Sequence, residues 1–392
     1  MPVLALNAGS SSVKYALFDG DAEEPLASGV VDLERESIEY REAGTRAVEA
    51  ARNAAKTSGA GRIEAVGHRV VHGGSLYRSS VVIDAAVESS IADLAALAPL
   101  HNPPALAVLE AARKALPEVP HVAAFDTAFF SGLPQRAHVY PVPWEWYERH
   151  GIRRYGFHGL SHQASSIRVA ELTKDRPAPR LVTCHLGQGC SAAAIQDGKA
   201  AATTMGLTPI EGLMMGSRSG SIDPGILIEM ARREGLDDAE IESALLHDSG
   251  LKGVSGLSSD FRKVEAASAE GNPRARLAFE MYADRVCSAI AALASVLGGL
   301  DALVFTGGVG EHSGSLRAAA CERLSFAGVL LDRGRNSAAQ ADAEIGSGPV
   351  RVFALRAREE WMIARETRRA CPLLLSRAEG THESHRASEE RP

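Results

Sequence analysis

Short apolar runs and helix-period segments alternate along the chain, and this alternation predicts α/β layers. Residues 3–7 read as a buried strand ending at a Gly-Ser turn. Residues 13–18 resume the strand character, so the two are expected to pair as a hairpin. Residues 63–71 form a third strand candidate, ending at Gly73-Gly74. Residues 87–97 and 105–116 read as helices, with Pro103 and Pro104 just before the second, where proline is tolerated. Residues 121–125 read as a strand that runs into Asp126. The pattern then restarts: residues 180–186 are a strand ending at Gly187-Gln188-Gly189, and 191–195 continue after the turn. Helices are predicted over 224–233, 239–247 and 272–297. A strand is predicted over 301–305, a last strand over 350–355 and a last helix over 359–369. Each half thus shows a strand, a polar turn of small residues and another strand, a weak structural repeat without sequence repetition.

The chain has 392 residues, enough for two domains or one large one. Hydrophobic residues make up 45% and charged residues 23%, which supports sizeable cores and excludes disorder throughout. The net charge of −7 argues against a dominant nucleic-acid surface, while leaving room for a small basic pocket that takes phosphate. Thirty-seven glycines stand against only 5% aromatics, so either tight turns abound or backbone approaches a ligand closely. Five widely spaced cysteines include no C-x-x-C pair, which reads as buried free thiols in a reducing compartment. The N-terminus lacks the basic and long apolar segments of a signal peptide. The longest uncharged apolar stretch, residues 286–300, falls short of the roughly 18–20 residues a membrane span needs. A cytoplasmic protein with no membrane partner is expected. The polar residues 376–392 are expected to form a disordered tail.

Candidate chemistry gathers at the strand ends. Asn7-Ala8-Gly9-Ser10-Ser11-Ser12-Val13-Lys14 offers hydroxyls, amides and a cation to a phosphate. It is not a Walker A loop, and an ordinary hairpin turn is the alternative. His185 to Ser191 and Thr306 to His312 read as two further glycine-bearing turns after apolar strands. Together the three suggest a nucleotide held between two lobes. Arg69, beside His68 and His72, and Arg218, among glycines and serines, present guanidinium forks suited to carboxylate or phosphate oxygens. Solvated or ion-paired arginines are the alternative. Asp126, at the end of an apolar strand, is either a Mg²⁺ ligand or a cap. His158 and His162 lie among glycines without a convincing set of zinc ligands, so the choice is between a donor to a transferred group and core histidines.

Taken together, the segments LNAGSSSVK, HRVVHGG, LAPLHNPP, FDTAF, RRYGFHGLSH, HLGQG, MGSRSGSIDP, FTGGVGE and a final EE-x-x-IARET resemble the acetate kinase family, within the acetate and sugar kinase, Hsp70 and actin superfamily. The resemblance runs from Leu6 to about Thr367. It implies a two-lobed, ribonuclease H-like fold with a duplicated βββαβαβα core and an active-site cleft between the lobes. One lobe would span residues 1–128 plus 361–375 on the substrate side, the other residues 129–360 on the nucleotide side. It implies reversible transfer of the ATP γ-phosphoryl to acetate, giving acetyl phosphate and ADP. It also implies a Mg²⁺ cofactor (Mn²⁺ as an alternative), a homodimer and a place in acetyl-CoA biosynthesis.

Residue by residue, the resemblance gives Arg69 and Arg218 the carboxylate and the transferring phosphoryl, and His158 a hydrogen bond to that phosphoryl. Asn7 would contact phosphoryl oxygens, with Ser10, Ser12 and Lys14 supporting its loop. Asp126 and Glu359, beside Asn7, would position the metal, with Glu360 as Glu359's competitor. His185, Leu186, Gly187, Gln188 and Gly189, with Gly307, Gly308, Val309, Gly310 and Glu311, would cradle the nucleotide phosphates. Asp260, Phe261 and Arg262 would lie near the adenosine, and His101 would support the site. Val71, Leu100, Phe157 and Pro209 would line the methyl pocket, and Val71 implies acetate over propionate.

Departures from the family pattern are Gln188 for Asn, Cys190 for Ser, Ser217 for Thr, Phe130 for His, His312 for Asn and Arg356-Ala357-Arg358 before Glu359. The chemistry is consistent with these assignments: acetate is ionised at neutral pH and needs no general base, so positioning and charge stabilisation are the task. The alternatives are a propionate or butyrate kinase and a catalytically silent nucleotide-binding protein of the same fold. A sugar kinase would need an aspartate base that the sequence does not reveal.

Overall fold

The computed structural model describes residues 1–371 except 10, 100, 175–179 and 341. The chain divides into two compact units, Met1–Phe129 with Arg358–Pro392, and Phe130–Ala357.

The first unit is built on six strands: β1 (Pro2–Ala8), β2 (Ser12–Asp19), β3 (Ala27–Asp32), β4 (Ala65–Val70), β5 (Val81–Val82) and β6 (His121–Phe125). Their order is β3-β2-β1-β4-β6-β5. The first three are antiparallel neighbours, β1, β4 and β6 run parallel, and short β5 lies antiparallel to β6. The predicted hairpin pairs Asn7 with Lys14 and is closed by Gly9 N donating to Ser12 O at 2.8 Å.

The second unit repeats this plan with β7 (Arg180–Leu186), β8 (Cys190–Gln196), β9 (Lys199–Thr203), β10 (Ala302–Thr306), β11 (Ala343–Glu344) and β12 (Arg351–Ala354). Its order is β11-β12-β10-β7-β8-β9, with the same strand directions down to the short antiparallel edge strand. The repeat sensed in the sequence is thus a duplicated α/β topology, as the resemblance implied.

Small residues let the layers approach. The helix Tyr40–Thr57 buries Ala43, Gly44, Ala47, Val48, Ala51 and Ala55 on one stripe, at positions three and four apart. That stripe packs with Val108 and Ala112 and with Leu4, Leu6, Val13 and Leu17 of the sheet. The opposite face takes the helix Glu359–Ala370. A Cβ on Gly67 of β4 would stand 2.1 Å from Thr367 Oγ1, so only glycine admits that helix at this distance.

Three sequence expectations change. The segment 306–312 is not a turn: Gly307–His312 is helical, with Gly307 at φ 78° permitting the sharp exit from β10. The helix predicted over 87–97 ends at Asp93 and continues as a 3₁₀ turn, Leu94–Leu97. Pro103 and Pro104 lie within the first turn of Asn102–Ala115 rather than before it, where their missing N–H groups cost no helical bond. All five cysteines are buried and unbridged. No described helix is long and apolar enough to cross a membrane. The expected tail over 376–392 lies outside the described residues.

Candidate active site

In the first unit, β1, β4 and β6 are parallel, so their C-terminal ends share one sheet edge. Asn7 lies at that end of β1, Arg69 at that end of β4, and Asp126 directly after β6. Arg69 donates from Nε and Nη2 to Asp126 Oδ2 at 3.1 and 2.7 Å, and from Nη1 to Asn7 Oδ1 at 3.1 Å. Its Nη2 is 3.4 Å from Glu359 Oε1. Asn7 Nδ2 donates to Glu359 Oε2 at 3.3 Å and to Glu360 Oε1 at 2.8 Å. Glu359 opens its helix, where a carboxylate complements the helix dipole. Asp126 is fully buried, and Asn7 and Glu359 nearly so. Burial works against the charge on Arg69, but Asp126 and Glu359 overcompensate and hold the guanidinium firmly protonated.

Among the described residues, no group of three or more His, Cys, Asp or Glu side chains is disposed to hold a metal alone. The donors of Asn7, Asp126 and Glu359 are all hard oxygens, two of them carboxylate. Such a set fits Mg²⁺, which usually keeps waters and takes one or two carboxylates plus substrate phosphate oxygens.

Val71 is buried just beyond β4, and the following turn is pinned by a residue the sequence did not single out. Buried Asn102 accepts from His72 N at 3.2 Å and donates to the carbonyls of His72 and Ile91. Its place after His101, within the LAPLHNPP segment, was the available signal. Lys14 lies directly across from Asn7, hence on the same sheet face, and is exposed. Ser12 opens β2. His101 precedes the helix that Asn102 begins. Ser10 and Leu100 lie outside the described residues.

In the second unit, His158 caps the helix Gly159–Thr173 in the left-handed conformation, at φ 56°. A non-glycine residue there is strained, and the surroundings hold it. Its Nδ1 is 2.8 Å from Ser191 Oγ, and its ring stacks on His185 at 4.3 Å between centroids. His185 Nδ1 is in turn 2.8 Å from Ser161 Oγ. Arg218 is buried and donates from Nη1 to Pro209 O at 3.2 Å. Burial alone pulls its pKa down, with no carboxylate among the causes.

His158 and Arg218 converge over Gly189. A methyl group there would stand 3.3 Å from His158 Nε2 and 3.6 Å from Arg218 Nη1. Glycine keeps that space open, and a ring nitrogen and a guanidinium nitrogen near one point suit an anion's oxygen. Gln188 packs against Gly216, whose N–H donates to Gln188 O at 3.2 Å. Cys190 bonds Tyr282 Oη at 2.8 Å.

The remaining second-unit residues are more dispersed. Asp260 caps the helix Phe261–Ala269 and pairs with Arg262, while Phe261 is buried against Phe279 and Tyr282. Gly307, Gly308, Val309, Gly310 and Glu311 form the short helix after β10, and Glu311 Oε1 accepts from Ala357 N at 2.8 Å. Leu186 is buried, Gly187 N donates to Gly189 O at 3.0 Å, and Phe157 and Pro209 are buried.

A family model described as the acetokinase family matches residues 2–365. Curated relatives include an acetate kinase of Gloeobacter violaceus, 47% identical, covering 93% of this chain and 98% of the relative. An acetate kinase of Trichormus variabilis is 45% identical over the same shares. Among solved structures, acetate kinase from Porphyromonas gingivalis has a TM-score of 0.83 at 38% identity, covering 94% of this chain and 99% of that one. A propionate kinase from Francisella tularensis has a TM-score of 0.85 at 36% identity over the same shares.

Proposed function

The chain belongs to the acetokinase family and its activity is reversible phosphoryl transfer between ATP and acetate, and on that premise we propose how its own residues perform the transfer. Arg69 and Arg218 hold the acetate carboxylate and the transferring phosphoryl group. The carboxylate is already an anion and attacks phosphorus in line, forming a C–O–P bond as the bond to the ADP oxygen breaks. No side chain has to remove a proton. The residues' task is to bring two anions together and stabilise the charge spread over the equatorial oxygens.

The observation that carries this reading is the convergence of His158 Nε2 and Arg218 Nη1 over Gly189. The buried wedge of Arg69, Asp126, Asn7 and Glu359 supports it, because it fixes one guanidinium from three sides. Asp126 and Glu359, beside Asn7, would hold a magnesium ion, with manganese as a substitute, and the metal would neutralise phosphate charge. Ser10, Ser12 and Lys14 support the Asn7 loop. Residues 185–189 and 307–311 take the nucleotide phosphates, Asp260, Phe261 and Arg262 lie toward the adenosine, and His101 backs the site. By the family resemblance, Val71, Leu100, Phe157 and Pro209 would line the methyl pocket.

The reading extends to a cytoplasmic homodimer that serves acetyl-CoA biosynthesis. Five unbridged buried thiols suit a reducing compartment. Half-exposed Ile226 and Ile228, on a helix that buries no residue in the single chain, suit a subunit contact. The test of the assignment is Arg218→Ala: a folded variant should lose kcat by at least about 100-fold, as expected for removing a transition-state donor. Near-normal turnover in the folded variant would refute the role.

A further inference from the structure

The chain from Thr204 to Arg218 has no helix or strand of its own. A cluster to which the transfer step gives no task pins it instead. Tyr140 and Arg154, from the stretch before the helix Gly159–Thr173, close on Glu211 from two sides. Tyr140 Oη donates to Glu211 Oε2 and accepts from Leu207 N at 2.9 Å. Arg154 donates from Nη2 to Glu211 Oε1 at 2.7 Å, and from Nη1 to the carbonyls of Thr204 and Met205 at 2.9 and 3.2 Å. Its guanidinium also lies over the Tyr140 ring, 5.1 Å from the centroid. An irregular segment lacks a ladder of backbone bonds, so side chains have to take up its polar groups.

Gly206 lies in the middle of the cluster. A Cβ there would stand 1.7 Å from Glu211 Oε2 and 2.1 Å from Tyr140 Oη, so the cluster closes over bare backbone. The Gly206 carbonyl accepts from Tyr155 N at 2.9 Å and Gly156 N at 3.4 Å, and these residues directly precede Phe157 and His158. On the other side, buried Pro209 comes two residues before Glu211, and its carbonyl accepts from Arg218 Nη1 at 3.2 Å. The cluster thus ties the approach to Phe157 and His158 to the segment that carries Pro209. Burial above all raises the Tyr140 pKa, with Arg154 opposing and Glu211 adding, so the hydroxyl remains a donor at neutral pH.

We propose that Glu211, Tyr140 and Arg154 are positioning residues for the acyl substrate. They fix residues 204–211 so that Pro209 stands as a wall and its carbonyl orients Arg218. The proposal rests on the reading of Pro209 as a pocket wall and of Arg218 as a contact to the reacting groups. The effect therefore belongs to the acid rather than to ATP, and is read in how well one acid is told from another.

Tyr140→Phe removes one hydroxyl and keeps the ring beneath Arg154. It should lower kcat/KM for acetate by about tenfold, the scale of one hydrogen bond to a charged group, with the ATP KM changed by less than about twofold. The preference for acetate over propionate should narrow by about threefold or more, because a loosened wall discriminates less. Glu211→Gln keeps an oxygen for one of the two donors and should lie between the wild type and Glu211→Ala. Hydrogen exchange over residues 204–211 is a readout independent of turnover, and should quicken in Tyr140→Phe. Faster exchange with the acid preference unchanged would make the cluster merely structural and overturn the proposal. Unchanged exchange and kinetics, or equal losses toward ATP and acetate, would overturn it as well. These outcomes are read against a wild type that forms acyl hydroxamate. A wild type that forms none from either acid overturns the functional reading itself, and the proposal with it.

Discussion

Arg69 lays its Nε and Nη2 hydrogens on a single oxygen of Asp126, at 3.1 and 2.7 Å, while its Nη1 reaches Asn7. A lysine cannot reproduce that fork, because an ammonium is a point donor on a flexible stem. Each charge-assisted bond is worth about 1.5–3 kcal/mol, or roughly 10–100-fold in rate when it is lost from a transition state. Arg69→Lys should therefore lower kcat/KM for acetate by about 100-fold. Steady-state kinetics on a variant shown to be folded by circular dichroism checks this, and a change under threefold would contradict it.

Gly189→Ala puts a methyl group 3.3 Å from His158 Nε2, in the space on which the two nitrogens converge. Gly189 is not among the positive-φ glycines, so alanine should fold without backbone strain. The expected result is a loss of kcat of about 100-fold or more, the scale of losing a transition-state donor, with the thermal midpoint nearly unchanged. A fully active Gly189→Ala protein would mean that no phosphoryl oxygen occupies that point.

Val71 tests substrate choice. One methylene in an apolar pocket is worth about 1–3 kcal/mol, so the wild type should prefer acetate to propionate by about tenfold or more. Val71→Ala should narrow or invert that ratio. Comparing kcat/KM for the two acids in both proteins decides it. A wild type that favours propionate would remove Val71 from the pocket.

The sheet cores were the most legible part of the sequence. The runs that became β1, β4, β6, β7 and β10 are mostly apolar and buried along most of their length, and their boundaries fell within a few residues. The helix Tyr40–Thr57 went unread because its buried stripe is, apart from Val48, alanine and glycine, which carry little hydrophobic contrast. The segment 307–312 read as a turn because glycine signals one, whereas here it serves a sharp strand exit into a helical turn. Arg69, Asp126 and Asn7 were each legible as strand-end residues, but their mutual bonding depends on three distant strands running parallel. Ser191 read only as the end of a glycine-bearing turn and Thr183 only as part of a strand, since their partners His158 and His162 lie in a separate segment at the start of the helix Gly159–Thr173.

The thiol of Cys190 supplies a pH prediction. Burial pushes it up to about 11, with the Tyr282 hydroxyl and the Gly187 backbone pulling the other way. An unfolded thiol titrates near about 8.5. The raised group thus contributes stability that is complete below about 8.5 and is lost as pH rises toward its folded value. The urea midpoint should fall between pH 8.5 and 10.5, and fall less steeply in Cys190→Ala. Equal slopes in the two proteins would show that Cys190 does not contribute.

The central claim is direct transfer from ATP to a carboxylate. The most direct measurement mixes the protein with ATP, Mg²⁺, acetate and hydroxylamine, and follows acethydroxamate and ADP together. The account predicts hydroxamate and ADP in equal amounts, both dependent on acetate. Release of ADP and phosphate without hydroxamate, or bound nucleotide with no turnover, would contradict it.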